Sequence, residues 1–157
     1  MTDPIIVVGA SQAGVQVAES LRQEGYDGPL MLIGDEPHPP YQRPPLSKAL
    51  LTGETTEDRL VLRGRDLLAK RNIDLVTGVR VEAIDRGGRR VHLADGRDLA
   101  WRGLALATGG RARALPIPGA DLDGVVTLRT IEDSRRIGAG IGQAASVAVV
   151  GGGFIGL

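Results

Sequence analysis

The sequence contains no cysteine. That excludes a disulfide framework, a thiolate-held metal cluster and a redox-active dithiol within these residues. Any redox chemistry here has to be carried by a bound cofactor. An excess of charge of one sign is missing too: Lys plus Arg and Asp plus Glu number 19 each. No net field therefore draws the chain toward nucleic acid or an anionic membrane, and small molecules and proteins are the expected partners. There is no long hydrophobic run at the start. Met1-Thr2-Asp3-Pro4 has no basic region, and the apolar stretch Ile5 to Val8 stops at Gly9. This is neither a signal peptide nor a membrane span, so a cytoplasmic protein is expected. What is abundant is glycine, 23 of 157 residues, roughly double the usual share of about 7%. Many tight turns or close backbone approaches to a ligand follow. With 42% apolar residues the chain can build one domain with its own core, and little more.

Ile5-Ile6-Val7-Val8 is a β-branched run without alternation, the pattern of a strand buried on both faces of a parallel sheet. From Ala13 to Glu24 the apolar residues Val17, Ala18 and Leu21 fall at helical spacing, with Gly25 as the stop. Leu30 to Ile33 reads as a second buried strand, completing a βαβ unit. The segment Pro37 to Pro45 carries five prolines and predicts a stiff loop. A short helix over Leu46 to Leu51 and another over Asp66 to Arg71 are expected next, before a strand at Ile73 to Val76. Val79 to Ile84, Val91 to Leu93 and Leu99 to Trp101, separated by Gly87-Gly88 and Asp95-Gly96, predict an antiparallel meander. Leu104 to Ala107 is again an unalternating strand, closed by Thr108-Gly109-Gly110. A helix over Ile131 to Ile137 is predicted, with Thr130 as its cap and Asp133 at the third position of its first turn. Val147 to Val150 reads as a last strand.

One internal repeat stands out. Val7-Val8-Gly9 through Gly14 recurs as Val149-Val150-Gly151 through Gly156, so two nucleotide-binding strand-turn-helix units are implied, the second only begun at Leu157. In the first, Gly9 permits the tight turn out of the strand and Gly14 the close packing of helix on strand. Backbone N–H groups between them can receive a pyrophosphate. Ser11 stands where a glycine usually gives the phosphate room. Asp35 lies about 20 residues beyond the last glycine, where a carboxylate accepts hydrogen bonds from a ribose, and Glu36 is its alternative. Gly151, Gly153 and Gly156 form the full glycine fingerprint, without the helix that would complete it. His38 and His92 are the only imidazoles; His92 is expected to be exposed, and neither is assigned a catalytic role. No metal site is expected.

Gly9 to Val15, Gly34-Asp35-Glu36, Tyr41-Gln42-Arg43-Pro44-Pro45-Leu46-Ser47-Lys48, Ala107-Thr108-Gly109, Leu128-Arg129-Thr130 and Gly151 to Leu157 occur in the same order in the ferredoxin reductases of bacterial oxygenase systems. The chain resembles the N-terminal part of that family, and the Arg43 to Lys48 string is its most specific element. The resemblance implies an α/β, Rossmann-like FAD-binding fold with a parallel sheet and an antiparallel β-meander. Residues 1–145 would be the N-terminal part of the FAD-binding domain, and 146–157 the first strand and glycine turn of a truncated NAD(P)-binding domain. It implies an FAD-dependent enzyme that takes hydride from NAD(P)H and passes electrons to a ferredoxin-type iron–sulfur protein. Carried over by position, Ala13 lies at the pyrophosphate, Asp35 at the adenosine ribose, Val81 at the adenine end, Lys48 and Arg129 near the flavin ring, and Thr108-Gly109 in a turn over the cofactor. Arg43 belongs to the same string. Lys48 also has a physical case of its own, because an ammonium beside the ring favours the electron-rich reduced flavin.

Relatives in the two-dinucleotide-binding flavoprotein superfamily that use one or two cysteines beside the flavin are excluded as a reading, since no sulfur nucleophile is present. The alternative from another class is a non-catalytic, nucleotide-binding fragment. On the sequence alone the 157 residues are expected to be inactive by themselves.

Overall fold

The structure, a computed structural model, describes residues 2–153. It divides into two units, one combining residues up to Gln42 with Val61–Gly109, the other combining Arg43–Leu60 with the chain from Gly110 onward.

The first unit holds both sheets. Strands β1 (Ile5–Val8), β2 (Leu30–Ile33), β3 (Ile73–Val76) and β7 (Gly103–Leu106) form a parallel sheet in the order β3-β2-β1-β7. Strands β4 (Val81–Asp85), β5 (Arg90–Leu93) and β6 (Asp98–Ala100) form the antiparallel meander. Helix α1 (Gln12–Gln23) links β1 to β2, and α2 (Arg65–Lys70) precedes β3.

The lack of alternation in β1 has a structural cause. Val7 joins one core cluster with Val15 and Ala18 of α1, Leu68 of α2, and Leu30, Leu32 and Ile73. Ile6 and Val8 join another with Ile33 and the meander residues Val91 and Leu93. One face of the sheet is therefore covered by helices and the other by the meander, and every side chain of the strand's centre leaves water. Each such burial contributes about 1.5–3 kcal/mol before chain entropy is counted.

Glu19 of α1 is buried, and Arg63 Nε donates to its Oε1 at 2.7 Å, while Arg71 donates to the same oxygen. The hydrogen bond and charge of Glu19 raise the Arg63 pKa above its ordinary value. The carboxylate thus ties α1 to the segments on either side of α2. In the turn between β5 and β6, Gly96 takes φ +86° and Asp95 accepts from the Arg97 backbone N–H at 3.1 Å and from its Nε at 2.8 Å. The Arg97 side chain is the main cause holding the Asp95 carboxyl below its usual range. A lowered carboxylate pKa contributes stability above the ordinary Asp range and loses it as pH falls through the lowered value.

In the second unit, α3 (Ile131–Ile141) starts with a complete capping box. Thr130 Oγ1 accepts from Asp133 N–H at 3.1 Å, and Asp133 Oδ2 accepts from Thr130 N–H at 2.9 Å. The helix runs one turn past the expected Ile137, since Gly138 and Gly140 take helical backbone. At α1 the N-cap Ser11 makes no side-chain capping bond. Thr130→Ala is therefore expected to cost about 1 kcal/mol, and Ser11→Gly only a few tenths. Thermal unfolding of the two variants checks the contrast, and equal losses would contradict it.

The remaining differences from expectation are local. Leu46 to Leu51 is not a regular helix; a 3-10 turn occupies Pro44–Ser47 and is followed by turns. Residues 147–150 form no strand, and Val147, Val149 and Val150 are exposed. A parallel strand exists only through bonds to neighbours, and among the described residues none lies beside this segment.

Candidate nucleotide site

The carboxyl ends of adjacent parallel strands lie together, so loops that leave them converge. In an open α/β sheet the crevice falls where the chain turns to opposite sides. Here that point is between β1 and β7, because α1 carries the chain from β1 to β2 on one side while β7 arrives on the other. Gly9 to Gly14 leaves β1, Gly34 to Glu36 leaves β2, and Ala107 to Gly109 leaves β7. Hydrogen bonds knit these exits: Gly9 N–H donates to Ile33 O at 2.7 Å, and Ala107 N–H donates to Val8 O at 2.7 Å.

The glycines are there because the exits nearly touch. Gly9 has φ +113°, and a Cβ on it would lie 2.1 Å from Ala107 O. A Cβ on Gly14 would lie 1.9 Å from Gly9 O and 3.2 Å from Leu32 Cδ1. Gly14 thus admits the first turn of α1 onto its own loop as well as onto the sheet. Gly34 is a third close approach, with its Cβ position 2.7 Å from that of Ala10. Sequence reasoning had given Gly34 no role of its own, although its place directly after β2 is the available signal.

The first backbone bond of α1 is Val15 N–H to Ser11 O at 2.9 Å. With no side-chain cap from Ser11, the preceding N–H groups of the first turn, Ala13 among them, are left for a ligand. Their positive end of the helix dipole suits an anion. Asp35 is exposed, while Glu36 is half-buried and accepts from the Tyr41 hydroxyl. Glu36 thus holds Tyr41 of the proline segment, whereas Asp35 presents its carboxylate to solvent. Thr108 and Gly109 are exposed beyond β7, with Gly109 at φ +68°. Val81 opens β4 and packs on the core cluster of the meander face. These features fit a dinucleotide: bare helix-terminal amides for a pyrophosphate, an exposed carboxylate at the neighbouring strand end, and strand exits that approach closely at Gly9, Gly14 and Gly34.

Arg43, Lys48 and Arg129 belong to the second unit. Arg43 Nη1 donates to Arg129 O at 2.6 Å, and Lys48 is exposed, following the 3-10 turn Pro44–Ser47. Arg129 is exposed and its backbone N–H donates to Asp133 Oδ2 at 3.0 Å. Gly151 has φ +114°, close to the +113° of Gly9, and Gly153 is exposed. Gly156 lies outside the described residues. His92 Nδ1 is 2.6 Å from Asp98 Oδ1 across the meander, and the His38 ring meets Tyr41 edge-on with centroids 6.0 Å apart.

The sequence profile described as pyridine nucleotide-disulphide oxidoreductase matches residues 3–157. The chain belongs to that family. The family is FAD-dependent and uses NAD(P)H. A probable ferredoxin reductase of Castellaniella defragrans is 46% identical over 153 residues, covering 98% of this chain and 37% of that protein. Putidaredoxin reductase of Pseudomonas putida is 42% identical over 158 residues, covering 99% of this chain and again 37% of the relative. A solved ferredoxin reductase from Rhodopseudomonas palustris superposes with a TM-score of 0.93 at 43% identity, covering 99% of this chain and 38% of that one. The chain thus spans a little over a third of the length of these relatives. The family name includes disulphide chemistry, yet this chain has no cysteine and its similarity runs to ferredoxin reductases. Among the described residues no helix is long and apolar enough to cross a membrane.

Proposed function

We propose that the chain is the FAD-binding front of an NAD(P)H:ferredoxin oxidoreductase. The observation that carries this reading is the match to ferredoxin reductases along essentially the whole chain, with the Arg43 to Lys48 string intact and no cysteine to support another flavin chemistry. Residues 1–145 are read as the N-terminal part of the FAD-binding domain. Residues 146–157 are read as the opening of a nicotinamide-nucleotide domain, which the shared positive φ of Gly9 and Gly151 supports.

A bound flavin would supply the chemistry, two-electron acceptance from a nicotinamide and one-electron release to an iron–sulfur partner. This chain's residues bind and orient. The first-turn amides of α1, around Ala13, hold the pyrophosphate; Ser11 is small enough to leave it room; Asp35 takes the ribose hydroxyls. Thr108 and Gly109 pass over the cofactor, Val81 faces its adenine end, and Lys48 and Arg129 bring positive charge to the ring. Lys48 is the residue read as catalytic.

A hydride-transfer assay compares the 157-residue chain with the full-length protein, using NADH and NADPH in turn and a small ferredoxin as acceptor. The full-length protein is expected to reduce the ferredoxin, and the 157 residues alone are expected to be inactive. A full-length protein that binds FAD but reduces no iron–sulfur acceptor would favour a nucleotide-binding role without this transfer.

A further inference from the structure

The segment read as carrying the flavin-side ammonium is held by a helix to which sequence reasoning gave no part in the site. Helix α3 buries Ser134, 3% exposed, and its hydroxyl donates to the carbonyl oxygen of Leu46 at 2.8 Å. Among the described residues, no backbone N–H donates to that carbonyl: in this stretch Leu46 N–H bonds Arg43 O, and the N–H groups of Lys48 and Leu50 both bond Pro45 O. The serine therefore satisfies an acceptor that the 3-10 turn leaves over. The Leu46 side chain is itself 2% exposed. At the other end of the string, Arg43 Nη1 reaches Arg129 O directly before the Thr130 cap. The turn is thus held at Arg43 by the residue just before the α3 cap and at Leu46 by the first turn of α3, and the capping box joins the two. Lys48 follows Leu46 by two residues, and its own side chain makes no hydrogen bond or ion pair among the described residues.

We propose that Ser134 is a positioning residue: its bond to Leu46 O holds the backbone from which Lys48 reaches the flavin. This rests on the reading of Lys48 given above. A buried carbonyl that loses its donor tends to turn toward water or another partner, and here such a rotation would swing the Lys48 stem.

The test is a double-mutant cycle on the full-length flavoprotein, read as flavin midpoint potential, with amide hydrogen exchange of Lys48 as a second measurement. Ser134→Ala is expected to lower the potential in the same direction as Lys48→Met but by less, and to speed exchange of the Lys48 amide. It is expected to leave the potential unchanged when made in the Lys48→Met background, because coupled residues are non-additive. Ser134→Thr, which keeps a hydroxyl, is expected to restore most of the potential. If Ser134→Ala shifts the potential equally in both backgrounds, or lowers the melting temperature without moving the potential, the proposal is overturned and Ser134 is a packing residue. If Lys48→Met itself leaves the potential unchanged, the reading of Lys48 fails and the proposal fails with it. A failure of the serine step alone leaves the Lys48 effect in place, so the two are distinguishable.

Discussion

Gly9→Ala is expected to lower stability by about 3–5 kcal/mol and Gly14→Val by about 3 kcal/mol, and both to abolish cofactor retention. The added Cβ meets backbone in both cases, Ala107 O at 2.1 Å and Gly9 O at 1.9 Å, and backbone cannot step aside as a flexible side chain does. For Gly9 the alanine also inherits φ +113°. Overpacking of a close contact costs about 1–3 kcal/mol or somewhat more, and a strained backbone about 1–3 kcal/mol again. At the size of this chain that sum lowers the melting temperature by roughly 10 °C or more. Gly140→Ala is the control. It lies in α3 with nothing within 4 Å of its Cβ position and is expected to stabilise by about 0.5–1 kcal/mol, because alanine loses less backbone freedom in a helix. Thermal unfolding of the three variants, with flavin content read by absorbance, checks the set. A Gly14→Val variant that melts like the parent and keeps its flavin would contradict the geometry of the β1 exit.

Lys48→Met is expected to lower the flavin potential of the full-length protein while leaving FAD content nearly unchanged. Methionine keeps most of the bulk and removes the positive charge, whereas the pyrophosphate and ribose contacts assigned here lie on the exits of β1 and β2. A unit charge about 4 Å away at an effective dielectric of about 20 interacts by about 4 kcal/mol. Lys48 is exposed, so screening reduces this to on the order of 1–2 kcal/mol. For a two-electron couple that is about 20–40 mV. Reduction by NAD(P)H should slow or become less complete. Lys48→Arg keeps the charge with a different shape and reach and should retain most of the potential. An unchanged potential in the methionine variant would return Lys48 to an ordinary solvated lysine.

The parts of the fold visible in the sequence are those whose cause is local or periodic. The unbroken run Ile5 to Val8 signalled burial on both faces, and the structure supplies helices for Val7 and the meander for Ile6 and Val8. Thr130 and Asp133 announced the start of α3 because a capping box is made within four residues. Val147 to Val150 is an unalternating apolar run like β1 and forms no strand, since pairing depends on neighbours that such a run cannot supply. The site divides in the same way. Gly9 and Gly14 were legible from spacing, but the reason for Gly34 lies in a contact with Ala10 across the sheet exits. Glu19 sits on a helix and carries no local sign of burial; the arginines that compensate it come from 44 and 52 residues further along the chain. Ser134 is likewise joined to Leu46 over 88 residues, a separation at which no spacing rule operates.

The central claim, that the exits of β1, β2 and β7 bind FAD, is tested most directly by identifying and counting the chromophore of the full-length protein. The account predicts a yellow protein with a flavin absorption spectrum, releasing FAD on heating at one per chain, or taking it up to that ratio when reconstituted. A colourless protein that cannot be reconstituted with FAD, or one that binds only NAD at this unit, would contradict it.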